Sequence, residues 1–296
     1  MLVDKILQNK QGIMLYGMTP PRDNVELSEK ERLGTLHRER VQSIGCDGVV
    51  LYDIQDESDR NESDRVFGLI EPIVPEIYYR DWMRTSVPAV IYKVVGKYDR
   101  AEFEKFINEL SPNSICVFVG ASSSSKQVKI HLNEAYEIAK SRTDIVYGGI
   151  CIPERHITKG DEHLRVAQKI QQGCKFFITQ AVYDDKNAKK FLDDYAKLDA
   201  PKVPIIFTFT PCGSARSLEF MKWLGIEISP KTEQELLGAQ DMLAHSMKHS
   251  AKLFGELYEY GKRLGISIGA NVESVAKNKT DIAAAVTLFS SLKTMI

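Results

Sequence analysis

The sequence predicts an α/β protein: a (β/α)8 barrel of the TIM type with extra helices before the last strand, in one domain over residues 1–296. Three observations predict it. Short β-branched and aromatic runs alternate eight times with longer amphipathic runs. The short runs are nearly all apolar, as strands of a parallel sheet buried on both faces are. A length of 296 residues suits one barrel of this kind. The alternative, a doubly wound sheet, needs Gly-x-Gly-x-x-Gly after its first strand, and the sequence has none there.

The elements follow in order. "IMLYG" (13–17) reads as the first strand and "LSEKERLGTLHRERVQSIG" (27–45) as its helix, with Ser28 as N-cap and Gly45 as stop. "GVVLYD" (48–53) is the second strand. A polar loop then leads to a helical stretch ending at Arg84. "PAVIYKV" (88–94) and "SICVFVG" (114–120) are strands three and four, each followed by a helix. "DIVYGGICI" (144–152), "KFFITQ" (175–180) and "VPIIFTFT" (203–210) continue the alternation, with helices over 161–173, 185–198 and 214–225. Two more helical runs span about 232–264; they are candidates for contacts with a second copy or a partner enzyme. "ISIGANV" (266–272) is the eighth strand, and "DIAAAVTLFSSLKTMI" (281–296) closes the chain.

Charge and composition narrow the function. A formal net charge of −1 argues against nucleic acid or an anionic membrane as main partner. No apolar run approaches the roughly 20 residues of a membrane span. The first twelve residues are too polar for a signal peptide, so a cytoplasmic protein is expected. The five cysteines form no Cys-x-x-Cys pair and read as packed thiols; only Cys212, in "TPCGS" beyond a strand, lies where chemistry is expected. The six histidines form no His-Glu-x-x-His motif, so no metal site is expected.

In a barrel, function gathers at the C-terminal strand ends. The candidates are then the stretches 17–22, 52–60, 120–126, 153–156, 210–214 and 271–273, together with Lys93 and Gln180. This polar set contains no close carboxylate pair of the kind glycosidases use.

Several of these stretches resemble methylenetetrahydrofolate reductases. "MTPPR" after the first strand is similar to that family's "FEFFPPR", "DESDRNESDR" to its loop after the second strand, and "IPERH" to its "YPEVHP". "GCKFFITQAVYD" and "VPIIFTFTPCGSARSLEFMKWLGIEIS" resemble its segments around the sixth and seventh strands. Order and spacing agree over nearly the whole chain. The resemblance implies a (β/α)8 barrel that reduces 5,10-methylenetetrahydrofolate to 5-methyltetrahydrofolate. A bound flavin, usually FAD, would pass hydride from NAD(P)H to the folate.

Carried over by position, the resemblance implies that Gln180 holds the pterin or the nicotinamide. It implies that His156, Asp59, Arg60, Glu162 and Lys169 contact the flavin. Tyr52, Thr210 and Asn271, at neighbouring strand ends, complete a candidate substrate-binding set with Gln180. The departures are as informative. The family's general acid, the glutamate of "FEFFPPR", aligns with Gly17, and glycine cannot do its work. The aspartate beside the flavin aligns with Ala121, the threonine of the second strand end with Tyr52, and the tyrosine of "YPEVHP" with Ile152. Asp53, Asp56 and Glu57 are the candidates to take over the proton transfer.

Three functions are therefore in competition: a divergent flavin-dependent reductase; a folate enzyme of another type, such as a methyltransferase, that keeps the pterin pocket without hydride chemistry; and a catalytically silent subunit supporting a partner. A small folate is the expected ligand of the first two.

Overall fold

The computed structural model describes residues 1–55, 65–69, 71–121, 127–276 and 278–296. Eight parallel strands close a barrel in chain order: β1 (Met14–Met18), β2 (Gly48–Leu51), β3 (Ala89–Val94), β4 (Ile115–Val119), β5 (Val146–Cys151), β6 (Phe177–Ala181), β7 (Ile205–Phe209) and β8 (Ile268–Glu273). The barrel closes where β1 pairs with β8, Leu15 opposite Asn271 and Gly17 opposite Glu273.

Successive side chains along a strand point to opposite faces. One set, including Leu15, Val50, Val90, Val117, Ile178 and Ile206, packs together inside the barrel. The other set, including Tyr16, Leu51, Cys116 and Phe207, packs outward under the helices. Tyr16 therefore meets Phe289 edge-on at 6.2 Å. Gly17, one residue on, faces inward, as do Tyr52, Gln180, Thr208, Asn271 and Glu273 by the same alternation.

The helices follow the predicted order with local differences. The sequence reading assigns no element before the first strand, yet α1 (Leu2–Leu7) is there. Its Leu2 and Ile6 join the inner cluster and close the N-terminal end of the barrel. Burying each of these side chains contributes about 1.5–3 kcal/mol. Helix α2 (Leu27–Ile44) is capped by Glu26 rather than Ser28, while Gly45, at φ 58°, ends it as anticipated. The stretch ending at Arg84 is a short α3 (Pro75–Ile77) that continues as a π-helix over Tyr78–Met83. Then come α4 (Arg100–Glu109), α5 (Leu132–Ala139), α6 (Glu154–Lys159), α7 (Glu162–Gln171), α8 (Asp185–Lys197) and α9 (Ala215–Trp223). The two extra helices are α10 (Pro230–Gly238) and α11 (Met242–Arg263); α12 (Lys279–Lys293) packs on α11 and β8. No helix among the described residues is long and apolar enough to cross a membrane.

Cys212 is not a reactive thiol. It is fully buried, its amide donates to Ser246 Oγ at 2.9 Å, and burial pushes its thiol up to about 11. A thiol held protonated at neutral pH is a packing residue.

Candidate functional site

Gly17 has no side chain because the hydroxyl of Tyr52 lies over it. A Cβ built on Gly17 would come within 2.6 Å of Tyr52 Oη and 3.1 Å of Glu273 Cβ. The Tyr52 ring is fixed edge-on against Tyr92, with centroids 4.8 Å apart. Its hydroxyl accepts a hydrogen bond from Asn271 Nδ2 at 2.8 Å. Asn271 Nδ2 also donates to Thr208 Oγ1 at 3.1 Å, and Thr208 donates in turn to the Thr179 carbonyl at 2.7 Å. A polar chain thus runs across the barrel top through β6, β7, β8 and the end of β2.

The remaining neighbour of the Tyr52 hydroxyl is the carboxyl of Glu273. Protein surrounds Glu273 on every side but the cavity, and this burial raises its pKa; the contact with Tyr52 works against the rise. Burial, with the Glu273 charge beside it, also holds the Tyr52 phenol well above its ordinary value. Among the described residues, no lysine, arginine or histidine pairs with Glu273.

These groups form one wall of a cavity of about 440 Å³ at the C-terminal mouth. That volume is in the range of small-molecule sites. Tyr52, Tyr92, Gln180, Thr208 and Glu273 line its inner part, and Arg155 and Arg165 line the side under α6 and α7. Arg165 is paired with Asp161 at 3.1 Å, whereas Arg155 makes no ion pair among the described residues. A second cavity of about 350 Å³ opens alongside and shares Gln55 with the first.

The structure brings Tyr52, Asn271 and Gln180 together at the mouth. Asn271 is wholly buried behind the wall and positions Tyr52. Gln180 lines the cavity, with its amide nitrogen tied to the Leu224 carbonyl at 2.7 Å. The amide oxygen is the part left to meet a ligand.

Other candidates are placed differently. Asp53 does not line the main cavity. It accepts hydrogen bonds from the Val94 amide at 2.9 Å and the Tyr98 hydroxyl at 3.3 Å, and pairs with Lys97 at 2.5 Å. A carboxylate so committed ties the end of β2 to β3, so it is a structural residue and not the missing proton donor. Replacing it with asparagine should cost about 1–3 kcal/mol, because one of its two acceptor oxygens becomes a donor and the charge that pairs with Lys97 is lost. Denaturant titration reads this loss directly.

Thr210 is also fully buried; its carbonyl accepts from the Tyr183 hydroxyl, and it does not reach the cavity. Lys93 pairs with Glu76 beneath the Tyr98 and Phe106 rings. Asp56, Glu57, Asp59 and Arg60 lie outside the described residues.

The flavin set implied by resemblance does not assemble into a cofactor site. His156 is buried between α6 and α8, bonded through Nε2 to Asp194 at 2.9 Å. Lys169 lines the cavity, but its ammonium donates to the Ile150 carbonyl at 2.6 Å. Burial lowers its pKa, against the pull of Glu162. Glu162 accepts from the Ile152 amide at 2.8 Å, and burial raises its carboxyl. Both side chains direct their bonds into the end of β5. Ala121 and Ile152 offer no polar atom from their side chains. Among the described residues, this set does not fit a flavin.

Two residues of the site were missed as functional. Glu273 entered only as the end of a strand-end range, and Arg155 only as the middle of "IPERH". The signal for Glu273 is register: it is the inward residue directly opposite Gly17.

A protein from Clostridium thermocellum, which binds two copies of 5-methyl-5,6,7,8-tetrahydrofolic acid, is 40% identical to this chain. The match covers 100% of both chains with a TM-score of 0.88. An archaeal fructose 1,6-bisphosphate aldolase matches at 12% identity over 99% of this chain and 100% of its own, with a TM-score of 0.51. That likeness concerns the barrel fold alone. No protein-family model matches the chain, and no curated protein matches it. The reductase likeness thus stays a resemblance without family membership.

Proposed function

The chain belongs to the family of the Clostridium thermocellum protein described above, and from that premise we propose that it binds reduced folates, 5-methyltetrahydrofolate in particular, at its barrel mouth without flavin-dependent hydride chemistry. The observation that carries the reading is the full-length identity of 40% to a protein that binds this ligand. The cavity supports it. Its inner part offers Gln180, Tyr52 and Glu273 to a flat, polar ring, and Tyr52 and Tyr92 supply aromatic wall. Its outer part offers Arg155, which makes no ion pair among the described residues, to the glutamate tail of a folate.

The reading departs from the reductase implied by resemblance because the flavin-side residues are committed elsewhere, as His156 is to Asp194. It keeps the pterin side. Transfer of a one-carbon group and simple carriage of the folate are both compatible with such a site.

The test is calorimetric titration of the purified protein with 5-methyltetrahydrofolate, alongside a visible spectrum taken after incubation with excess FAD and desalting. Saturable folate binding by a colourless protein supports the proposal. A retained flavin band, or no folate binding, overturns it. The titration also reads stoichiometry, which is of interest because two cavities adjoin at Gln55. Replacing Arg155 with alanine should weaken binding about fivefold, in line with the roughly 1 kcal/mol of a partly exposed ion pair. The loss should shrink as salt is raised. The same titration at two ionic strengths checks it.

A further inference from the structure

We propose that Glu273 is the residue that recognises the pterin ring, through the adjacent ring N–H and exocyclic amino group of its 2-amino-4-oxo edge. The inference rests on the folate reading above and deepens it.

Glu273 ends β8 on an inward-facing position, opposite Gly17, and lines the mouth cavity. A carboxylate walled in by protein normally has a cation or several donors to stabilise it. Among the described residues, its polar neighbours are the Tyr92 phenol and, in hydrogen-bonding contact, the Tyr52 hydroxyl. That hydroxyl is held by Asn271 Nδ2 at 2.8 Å, so its oxygen is already an acceptor and its proton is free to point at Glu273. One phenol satisfies one lone pair of an ionised carboxylate and leaves the others facing the cavity. Among the described residues, the site therefore carries an acceptor-rich group with no cation to match it.

The ligand class supplies the missing donors. A 2-amino-4-oxopyrimidine edge presents two parallel N–H groups, spaced as a carboxylate's two oxygens accept them. Such bidentate contacts to a charged acceptor are among the stronger hydrogen bonds. Among the described residues, no other carboxylate shares that part of the wall: Asp53 is committed to Val94 and Lys97, and Glu162 lies at the end of β5. Gln180, reaching in from β6, is placed to accept from the same ring with its amide oxygen.

Tyr52 is the positioning residue. Its hydroxyl fills the space a side chain at position 17 would need, and it orients Glu273 from that space. The glycine on β1, the tyrosine after β2 and the glutamate on β8 are thus one arrangement: the carboxylate has moved one strand around the barrel.

The test pairs a change in the protein with a change in the ligand. 5-Methyltetrahydrofolate and an analogue lacking the exocyclic 2-amino group are titrated into wild-type protein and Glu273→Gln. Wild type should bind the amino form at least about tenfold more tightly than the analogue, as a site built around a hydrogen bond rejects a ligand that lacks it. Glu273→Gln should lose at least tenfold for the amino form, little for the analogue, and most of the discrimination between them. Equal discrimination in both proteins overturns the assignment of Glu273 while leaving folate binding intact. No binding of either ligand to wild type overturns the folate reading itself. Circular dichroism checks that the variant is folded. If it is not, Glu273→Asp, which withdraws the carboxylate by one methylene, takes its place. Unchanged affinity for the amino form in that variant overturns the proposal, and a selective loss for that form supports it.

Discussion

Replacing Gly17 with alanine is expected to lower affinity for 5-methyltetrahydrofolate by tenfold or more, with a stability cost of about 1–3 kcal/mol. The new methyl group would lie 2.6 Å from Tyr52 Oη and 3.1 Å from Glu273 Cβ, so the phenol must leave its place. Displacing it breaks the bond from Asn271 and turns the Tyr52 ring away from Tyr92. Three groups of the cavity wall are then misplaced by one small change. The same reasoning applies more strongly to Gly17→Glu. That substitution restores in sequence the acid of the reductases this segment resembles but has no room for it, and should yield a protein with neither folate affinity nor reductase activity. Titration calorimetry and a denaturant melt on the alanine variant check both parts of the expectation. Wild-type affinity in Gly17→Ala would mean that the wall formed by Tyr52 and Glu273 does not touch the ligand.

Glu154→Gln is expected to be more stable than wild type above pH 8, by a few kcal/mol in order of magnitude. Glu154 is 3% exposed, and neither carboxyl oxygen has a hydrogen-bond partner. Burial raises its pKa from 4.5 to about 8, and the nearby charges of Glu227, Asp184 and Glu162 add to the rise. The sign follows from which state holds the proton. Below the unfolded value of 4.5 both states are protonated, and the group costs nothing. Between that value and about 8 the folded protein holds a proton that the unfolded chain has released, so stability falls as pH rises. Above 8 the full penalty of a buried, unpartnered charge is present. The glutamine variant carries no such charge, and its stability should be flatter over this window. Chemical denaturation at pH 5, 7 and 8.5 checks the difference; parallel curves for the two proteins would contradict it.

The barrel was legible because its cause is local. A buried parallel strand must be apolar on both faces, and eight such runs stand out between amphipathic ones. Helix α1 was not legible, since only Leu2 and Ile6 of its six residues are buried and a pattern of two is no pattern. The site was half legible. Tyr52, Gln180 and Asn271 were expected at the mouth because polar residues at the ends of apolar strands are conspicuous, and the structure places them there. Asp53 was conspicuous for the same reason and misleading, because a strand-end carboxylate serves equally well to bind the amide of the next strand. His156 looked like a loop ligand, but its loop is a helix turn and its ring faces α8. Glu273 was overlooked because its importance depends on facing Gly17, more than 250 positions earlier in the chain. Register between the first and last strands of a closed barrel leaves no trace in either strand alone.

The helix that precedes the first strand has a consequence for traffic. With Leu2 and Ile6 wedged among the inner side chains, the barrel is a cup and not a pipe. Whatever enters the inner part of the mouth leaves by the way it came. A molecule resting at the Arg155 rim would then stand in the doorway of one lodged against Glu273.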